Sequence, residues 1–236
     1  MSIKNRVWIF GYSKESKMIA HSLVSGSFDV NIVESNQKNA DDAISDGLEK
    51  VTLIDVTNDN ELEPLGINPK DYIICVMDYE HLNVFLTLSL RSICPENEII
   101  SISHSIYATQ KLKMAGASKV IDLYQVSANR IHNIFNKPVA TKILDSFIST
   151  NYDISFGEFT IPKGSCLDGT ILEDFDFSKH NIILVGILDW ELGDEFIFST
   201  TNIFHKLDCD DIIVCIGKDA DLKEFEEKLK KSKKCK

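Results

Sequence analysis

A lone glycine and a lone acid follow two apolar runs near the start of the chain. Gly11 comes after residues 7–10 and Glu34 after residues 30–33, and residues 17–25 between them have apolar side chains at helical spacing. Strand, glycine turn, helix and a second strand ending in an acid are the layout of a dinucleotide-binding βαβ unit. Its glycines let the backbone approach a pyrophosphate, and its acid accepts hydrogen bonds from ribose hydroxyls. These residues predict a nucleotide cleft.

Serines stand where the other two glycines of this motif belong. Ser13 and Ser16 replace them, and a serine at position 13 costs about 1 kcal/mol or more if that position needs a positive φ. Glu15 adds a like charge beside the phosphate, whereas Lys14 and the amides of the helix N-terminus attract a phosphate. Two alternatives stay open: a working nucleotide site, and a fold retained without a ligand.

The elements that position these residues continue the same alternation. Predicted strands cover residues 51–54, 72–77, 99–103 and 119–123, and predicted helices cover 36–45, 80–94 and 107–115. Short apolar strands that alternate with helices at this spacing are typical of a parallel, doubly wound sheet. We therefore expect a Rossmann-like α/β domain over residues 1–123.

The pattern changes after residue 123. Residues 126–148 are predicted to be helical with a break at 136–138, since proline disfavours helix there. The apolar stripes of this hairpin suit either a dimer contact or packing on the chain's own sheet. Strands at 154–161, 182–188 and 212–216, a short helical stretch near 168–172 and a helix at 221–229 follow. We expect crossover helices over 124–150, a small α+β domain over 151–220, and a C-terminal helix with a lysine-rich tail over 221–236.

Composition excludes several functions. The net charge of −11 over 236 residues disfavours a nucleic-acid partner, because phosphate affinity needs clustered cations. Six cysteines without a CxxC pair and six dispersed histidines give no zinc spacing, so we expect no metal site. No apolar run reaches about 20 residues and the N-terminus lacks an apolar signal region, which predicts a cytosolic chain.

An enzymatic alternative rests on Tyr107 and Lys111, four residues apart on a predicted helix. Short-chain dehydrogenases use such a pair as an acid and its neighbouring cation, but they also need an upstream serine and a three-glycine loop. The sequence has neither in place, which favours an exposed helical pair. A nucleotide-dependent oxidoreductase would also need an acid–base pair in the second domain. We find none and predict no catalytic residue.

The order of five segments resembles the RCK (TrkA-N/TrkA-C) family that regulates potassium channels and transporters. The segments are residues 11–16 with Glu34, 53–57, 111–121, 167–172 and 211–217. The resemblance implies a regulatory subunit or gating domain of the KtrA/TrkA type at the inner face of the cell membrane. Its partner would be a membrane-embedded potassium channel or transporter subunit, and it would pair as a homodimer through the crossover helices and assemble into a higher ring.

The resemblance also implies an adenine nucleotide as ligand: NAD, NADH, ATP, ADP or AMP. Gly11 would make the turn, Lys14 would lie near the phosphates and Glu34 would hold ribose. The implied binding residues are Gly11, Tyr12, Ser13, Lys14, Glu15, Glu34, Ser35, Asp55, Val56, Met77 and Asp78. Asp55 corresponds to an acid that approaches adenine, and Met77 and Asp78 line the cleft. A ligand-free RCK assembly module is the alternative.

Two further ligands of RCK relatives find no support in this sequence. Some relatives bind divalent ions through carboxylates on the fifth strand, where this chain has apolar residues, serines and a histidine at 99–105. Others bind a cyclic dinucleotide beside an arginine in the second domain. The corresponding segment, residues 186–191, is acidic and would repel phosphate.

Overall fold

The computed structural model describes residues 5–148, 153–193, 196–200 and 204–231. The chain divides into two compact units, Met1–His132 and Asn133–Lys236. Within the described ranges, no helix is both long and apolar enough to span a bilayer. The finer division at residues 123, 150 and 220 stays a prediction.

A parallel six-stranded sheet forms the centre of the first unit. Its strands are β1 (Arg6–Phe10), β2 (Asp29–Glu34), β3 (Val51–Leu53), β4 (Tyr72–Cys75), β5 (Glu98–Ser103) and β6 (Lys119–Asp122). Their order is β3-β2-β1-β4-β5-β6, and each neighbouring pair is parallel. This arrangement confirms the Rossmann-like fold class, because the chain crosses from one half of the sheet to the other between β3 and β4.

Helices cover both faces of this sheet. They are α1 (Lys14–Ser25), α2 (Gln37–Ser45), α3 (Asp59–Leu62), α4 (Glu80–Ile93) and α5 (Ile106–Met114). Side chains alternate between the faces along β1, so that Ile9 packs in the same core as Ala20 of α1, and Phe10 in the same core as Leu86 of α4. All four of these side chains are fully buried. The two cores fix the ends of β1 and β4, where the site lies.

Two helices follow β6, as predicted. They are α6 (Leu123–Asn136) and α7 (Pro138–Ile148), and Pro138 begins α7, where its missing N–H leaves no helical bond unmade. The apolar stripe of the pair is largely exposed: Ile131 is 56% and Phe135 80% accessible in α6, and Val139 is 71% accessible in α7. This exposure disfavours packing of the stripe on the chain's own sheet.

A four-stranded antiparallel sheet forms the centre of the second unit. It contains β7 (Ile154–Thr160), β8 (Ile182–Leu188), β9 (Phe196–Phe198) and β10 (Ile212–Lys218) in the order β7-β10-β8-β9. Helix α8 (Asp219–Lys231) packs Phe225 into its core. Strand β9 was not predicted, and most of the lysine-rich tail lies outside the described residues.

The predicted helical stretch near 168–172 differs in the structure. Gly169 adopts a positive φ of 85°, which a right-handed helix does not allow. The amide of Gly169 donates to the carbonyl of Leu207 instead, and the amide of Leu172 donates to the carbonyl of His205. A 3₁₀ helix begins only at Leu172 and ends at Asp174. The segment therefore pairs with a distant part of the chain.

Candidate functional site

The candidate site lies at the carboxyl ends of β1 and β4, which are neighbours in the sheet although β2 and β3 lie between them in sequence. In open α/β sheets the loops that leave such neighbours run to opposite faces and open a crevice for ligands. Here those loops begin with Gly11 after β1 and with Val76 after β4. The fold thus places the predicted glycine loop at the position where such sheets bind nucleotides.

Gly11 is required by the backbone at this point. Its φ is +102°, and a Cβ there would lie 2.6 Å from the carbonyl oxygen of Val76 and 2.8 Å from the Cα of Met77. The Met77 backbone is held in turn by Asn83, whose side chain accepts from its amide at 2.7 Å and donates to its carbonyl at 3.1 Å. The turn therefore admits only a glycine.

The two serines of the loop form a capping box at the start of α1. Ser13 has a φ of −114°, so position 13 does not need a positive φ and the cost stated for that case does not arise. Its hydroxyl accepts from the amide of Ser16 while the Ser16 hydroxyl accepts from the amide of Ser13. Because this box satisfies the first amides of the helix, α1 begins at Lys14 and not at residue 17. The serines are helix-start residues.

Replacing Ser13 with alanine is expected to lower the free energy of unfolding by about 1 kcal/mol, because the cap is lost. Ser13→Gly is expected to cost only a few tenths of a kcal/mol, since glycine is also a good N-cap residue. Urea unfolding of the two variants measures both values. An alanine variant as stable as the glycine variant would show that the hydroxyl does not cap α1.

Glu34 holds the glycine loop through hydrogen bonds to backbone amides. It is only 2% exposed, and its carboxylate accepts from three backbone amides: Tyr12 at 2.8 Å, Ser35 at 2.9 Å and Asn36 at 3.0 Å. Since a carboxylate has about four acceptor positions, one remains beyond these three bonds. The acid at the end of β2 thus ties the glycine loop to the second strand.

A cleft of about 540 Å³ opens between the N-terminal turn of α1 and helix α2. This volume lies within the range of small-molecule sites. The lining residues are Tyr12, Ser13, Lys14, Glu15, Lys17, Asn39, Asp42, Ser45, Asp46 and Asp78. Acids outnumber lysines in this lining, so an anionic ligand depends on Lys14, on Lys17 and on the helix amides for its attraction.

Glu15 already places a negative charge at the N-terminus of α1. Its carboxylate accepts from the Ser13 hydroxyl at 2.8 Å, and His104 Nε2 lies 3.9 Å from its other oxygen. The Ser13 hydrogen bond, aided by the amide of Glu15 itself and by the charges of His104 and Lys14, lowers the pKa of Glu15. Glu15 is therefore ionised where a phosphate would sit.

Tyr12, Asp46 and Lys17 form a polar cluster on the wall of the cleft. The Tyr12 hydroxyl and the Lys17 ammonium donate to the two oxygens of Asp46 at 2.8 Å and 2.6 Å. These two bonds lower the pKa of Asp46, the lysine bond more than the tyrosine bond. Burial, reinforced by Asp46, raises the pKa of Tyr12. The cluster joins the glycine loop to the end of α2.

Comparison with known proteins identifies this unit. The TrkA-N domain family matches residues 7–123, which contain β1 to β6 and the cleft. The N-terminal unit is a TrkA-N domain. The match and the potassium channel relatives described next confirm the resemblance to RCK regulatory domains. Assignment of the C-terminal unit to the TrkA-C type stays a prediction.

Two relatives come from Methanocaldococcus jannaschii. Potassium channel protein 1 is 26% identical over 173 residues, which are 73% of this chain and 52% of that protein. Probable potassium channel protein 2 is 25% identical over an alignment of 241 positions, which covers 99% of this chain and 69% of that protein. The chain thus spans about half the length of the first relative.

Solved structures agree on the fold. The human SLO3 gating ring aligns with 93% of this chain and 45% of its own at a TM-score of 0.66 and 11% identity. The TrkA-N domain of the inner membrane protein ybaL from Escherichia coli aligns with 58% of this chain and 100% of its own at a TM-score of 0.50 and 18% identity. At such identities these likenesses show the fold alone.

A second cleft of the TrkA-N domain, of about 160 Å³, lies on the β5 side of the glycine loop. Ser13, Glu15 and Asp78 line both this cleft and the larger one. Met77 and His104 lie on its wall, and the amide of His104 is fixed by Glu80 at 2.8 Å. The two clefts therefore meet at the N-terminus of α1.

Several predicted residues of the TrkA-N domain support the cleft without lining it. Gly11, Glu34 and Ser35 shape the loop, whereas Val56 is only 1% exposed and packs in the core beside β4. Asp55 is exposed and binds its own turn, accepting from the Thr57 hydroxyl and amide, which lowers its pKa. The nucleotide contacts assigned to these residues stay predictions.

Sequence reasoning missed the α2 side of the cleft. Asn39, Asp42 and Ser45 line it from α2, Asp46 from the residue after α2, and Lys17 from α1. The polar composition of residues 36–45 was the available signal, because a helix without an apolar face on this side borders solvent or a ligand. Asn39 also bridges the cleft by donating to Asp78 at 3.2 Å.

The pair considered for dehydrogenase chemistry lies outside both clefts. Tyr107 is 80% exposed on α5, and Lys111 is exposed one turn later. Neither residue belongs to the lining of the described clefts. The geometry favours the interpretation of an exposed helical pair.

Proposed function

We propose that the chain is the cytosolic regulatory domain of a potassium channel or transporter, and that an adenine nucleotide bound in the TrkA-N cleft is its signal. One observation carries this proposal: a TrkA-N domain opens a cleft of about 540 Å³ at the N-terminus of α1, at the crevice of its sheet. Two relatives that match the chain are named as potassium channel proteins. We assign the chain no catalytic reaction.

The chemistry of the cleft favours a mononucleotide or the adenosine half of a dinucleotide. Amides at the start of α1 and the exposed Lys14 attract a phosphate. Asn39 supplies an amide on the wall formed by α2, whereas Glu34 is buried outside the cleft lining and its contact with a ribose hydroxyl stays a prediction. The smaller cleft beside Met77 shares Ser13, Glu15 and Asp78 with the larger one, and we assign the second nucleoside of a dinucleotide to it.

Regulation requires that the nucleotide bind two conformations with different affinity. The larger cleft has one wall on α1 and another on α2, so closure on a nucleotide would draw these helices together. The exposed apolar stripe of α6 and α7 supplies the surface for a homodimer, the unit from which a ring would assemble. Nucleotide binding would thus be transmitted to a membrane-embedded partner subunit through the geometry of the assembly.

A ligand-free assembly module is the second candidate, and Glu15 favours it. Its carboxylate lies at the helix N-terminus, held by the Ser13 hydroxyl, and so supplies internally the negative charge that a phosphate would bring. Under this alternative the TrkA-N domain keeps its structure for assembly alone. The two candidates differ in whether any nucleotide stabilises the chain.

Titration of the purified chain with NAD, NADH, ATP, ADP and AMP tests the proposal. A ligand at one hundred times its Kd raises the free energy of unfolding by about 2.7 kcal/mol, so a true ligand raises the Tm measurably. Saturable binding by calorimetry must accompany that shift. No response to any of the five would sink the nucleotide proposal and leave the assembly module.

The regulatory part is tested in a chimera. This chain replaces the aligned segment of Probable potassium channel protein 2, and potassium flux is measured in liposomes with and without the nucleotide that binds. We expect flux to change with nucleotide concentration around the measured Kd. If a nucleotide that is shown to bind does not change the potassium flux, binding is not coupled to gating and the regulatory role is contradicted.

Replacing Glu15 with glutamine is expected to tighten nucleotide binding about tenfold, or about 1.4 kcal/mol. The carboxylate of Glu15 would repel a phosphate only a few ångströms away, and solvent screens this repulsion only in part. The substitution removes the repulsion. Calorimetric titration with ADP measures the change. Asp41→Asn is the matched control, because Asp41 is an exposed acid of α2 that binds Gln37 and is not in the cleft lining. Equal changes in the two variants would contradict the local role of Glu15.

A further inference from the structure

We propose that Asp189, His205 and Asp211 of the C-terminal unit bind a divalent transition-metal cation such as Zn²⁺. One oxygen from each carboxylate and one imidazole nitrogen lie within 4.8 Å of one another, and all three side chains are largely buried. This site is separate from the nucleotide cleft and does not depend on it. It differs from the expectation that the chain holds no metal.

The antiparallel ladder brings the two acids together. Leu188 at the end of β8 pairs with Ile212 at the start of β10, so Asp189 and Asp211 are the next positions on the two strands. Both leave the sheet at the same end, although they lie more than twenty residues apart in sequence. Like charges at such neighbouring positions destabilise a sheet unless something neutralises them.

His205 completes the set from a third segment. Its carbonyl accepts from the amide of Leu172 at 2.8 Å, which fixes the residue beside the sheet end. Its side chain is 9% exposed, and its buried Nε2 has no hydrogen-bond partner among the described residues. That nitrogen lies 3.4 Å from Oδ2 of Asp189. A buried nitrogen that makes no hydrogen bond and faces two carboxylates is the feature that points to a cation.

Backbone amides orient both carboxylates for this task. Oδ1 of Asp189 accepts from the amides of Glu191 at 2.7 Å and Leu192 at 3.1 Å, which leaves Oδ2 for a ligand. The two oxygens of Asp211 accept from the amides of Trp190 at 3.0 Å and Asp208 at 2.8 Å. Supporting hydrogen bonds of this kind hold metal ligands in position and are part of most protein metal sites.

Charge and ligand type select the cation. Two carboxylates face one histidine in this cluster. The nearby Lys206 pairs with Asp208 at 2.7 Å, so its charge does not neutralise the two carboxylates. A dication would neutralise both. Imidazole with two carboxylates suits Zn²⁺, Mn²⁺ or Co²⁺, whereas Ca²⁺ and Mg²⁺ prefer oxygen ligands alone. The three protein ligands leave a coordination position for water.

Zn²⁺ binding by the full chain tests the site, with a chromophoric chelator as competitor. We expect one Zn²⁺ per chain and a higher Tm in its presence, and at least a tenfold weaker affinity in His205→Gln. His180→Gln is the matched control, because His180 is a partly buried histidine of the same unit that stacks on Phe175. Co²⁺ reports the ligand type: thiolate-to-cobalt absorption in the near ultraviolet would mean that cysteine binds instead, which overturns the proposal.

Asp189→Asn separates a metal site from a simple ion pair. Asparagine keeps an acceptor for the amides of Glu191 and Leu192 but removes the charge. At pH 8 we expect this variant to raise the Tm of the metal-free protein, because repulsion from Asp211 is relieved, while Zn²⁺ affinity falls at least tenfold. A lower metal-free Tm together with a Zn²⁺ affinity unchanged from the wild type would show that Asp189 only pairs with His205, and the proposal would fail.

Discussion

Replacing Gly11 with alanine is expected to lower the free energy of unfolding by about 3 kcal/mol. Two costs add: a φ of +102° that side chains avoid, and a Cβ placed 2.6 Å from the carbonyl oxygen of Val76. Relief by movement is blocked, because the amide of Val76 donates to Phe10 at 2.9 Å and Asn83 holds Met77 on both sides. Urea unfolding measures the loss.

Gly47→Ala is the matched control for this experiment. Gly47 also has a positive φ, +88°, but no atom lies within 4 Å of the position that its Cβ would take. Only the conformational cost applies there, about 1 kcal/mol. Similar losses in both variants would mean that the contact with Val76 is not limiting, and that the glycine of the loop serves φ alone.

Apolar periodicity was sufficient to predict the TrkA-N half of the fold. Its strands bury nearly every residue of β1 and β4, so they appear in the sequence as short continuous apolar runs. The broad apolar stripe of α4 and the proline that begins α7 were equally readable. Local pattern determines these elements because each contributes its own face to a core.

The glycine motif led to a wrong interpretation of its two serines, because a serine can either replace a turn glycine or cap a helix. Ser13 and Ser16 were interpreted as poor substitutes for glycine, but together they form a capping box that starts α1 early. A serine three residues before another serine does not show in sequence whether the first lies in a turn or at a helix start. That choice depends on the φ of residue 13, which is −114° in the structure.

Long-range pairing explains the misses in the second unit. Residues 169–172 pair with residues 205–207 and do not form a helical turn. The same pairing holds His205 near the end of β8. The three candidate metal ligands lie far apart in sequence, so no spacing rule finds them. Only the register of β8 against β10 places Asp189 beside Asp211.

Replacing Glu34 with glutamine is expected to lower the free energy of unfolding by about 2–3 kcal/mol, because a buried donor would face amides that now donate to the carboxylate. The bond to the amide of Tyr12 or the bonds to Ser35 and Asn36 would be lost. Urea unfolding without nucleotide measures this loss. Glu98→Gln, the same change at an exposed position of β5, is the control and is expected to cost less than about 0.5 kcal/mol.

The same variant decides what the acid at the end of β2 does. If Glu34 chiefly holds the loop, Glu34→Gln unfolds more easily without any ligand, and its nucleotide affinity falls because the amides at the start of α1 lose their fixed position. If Glu34 instead acts only on ribose, stability without ligand is unchanged and affinity alone falls. We expect the first result, because three of the four acceptor positions of the carboxylate already bind the protein's own amides. A loss of nucleotide affinity without any loss of stability would contradict the structural role and indicate that Glu34 acts by contacting the ligand.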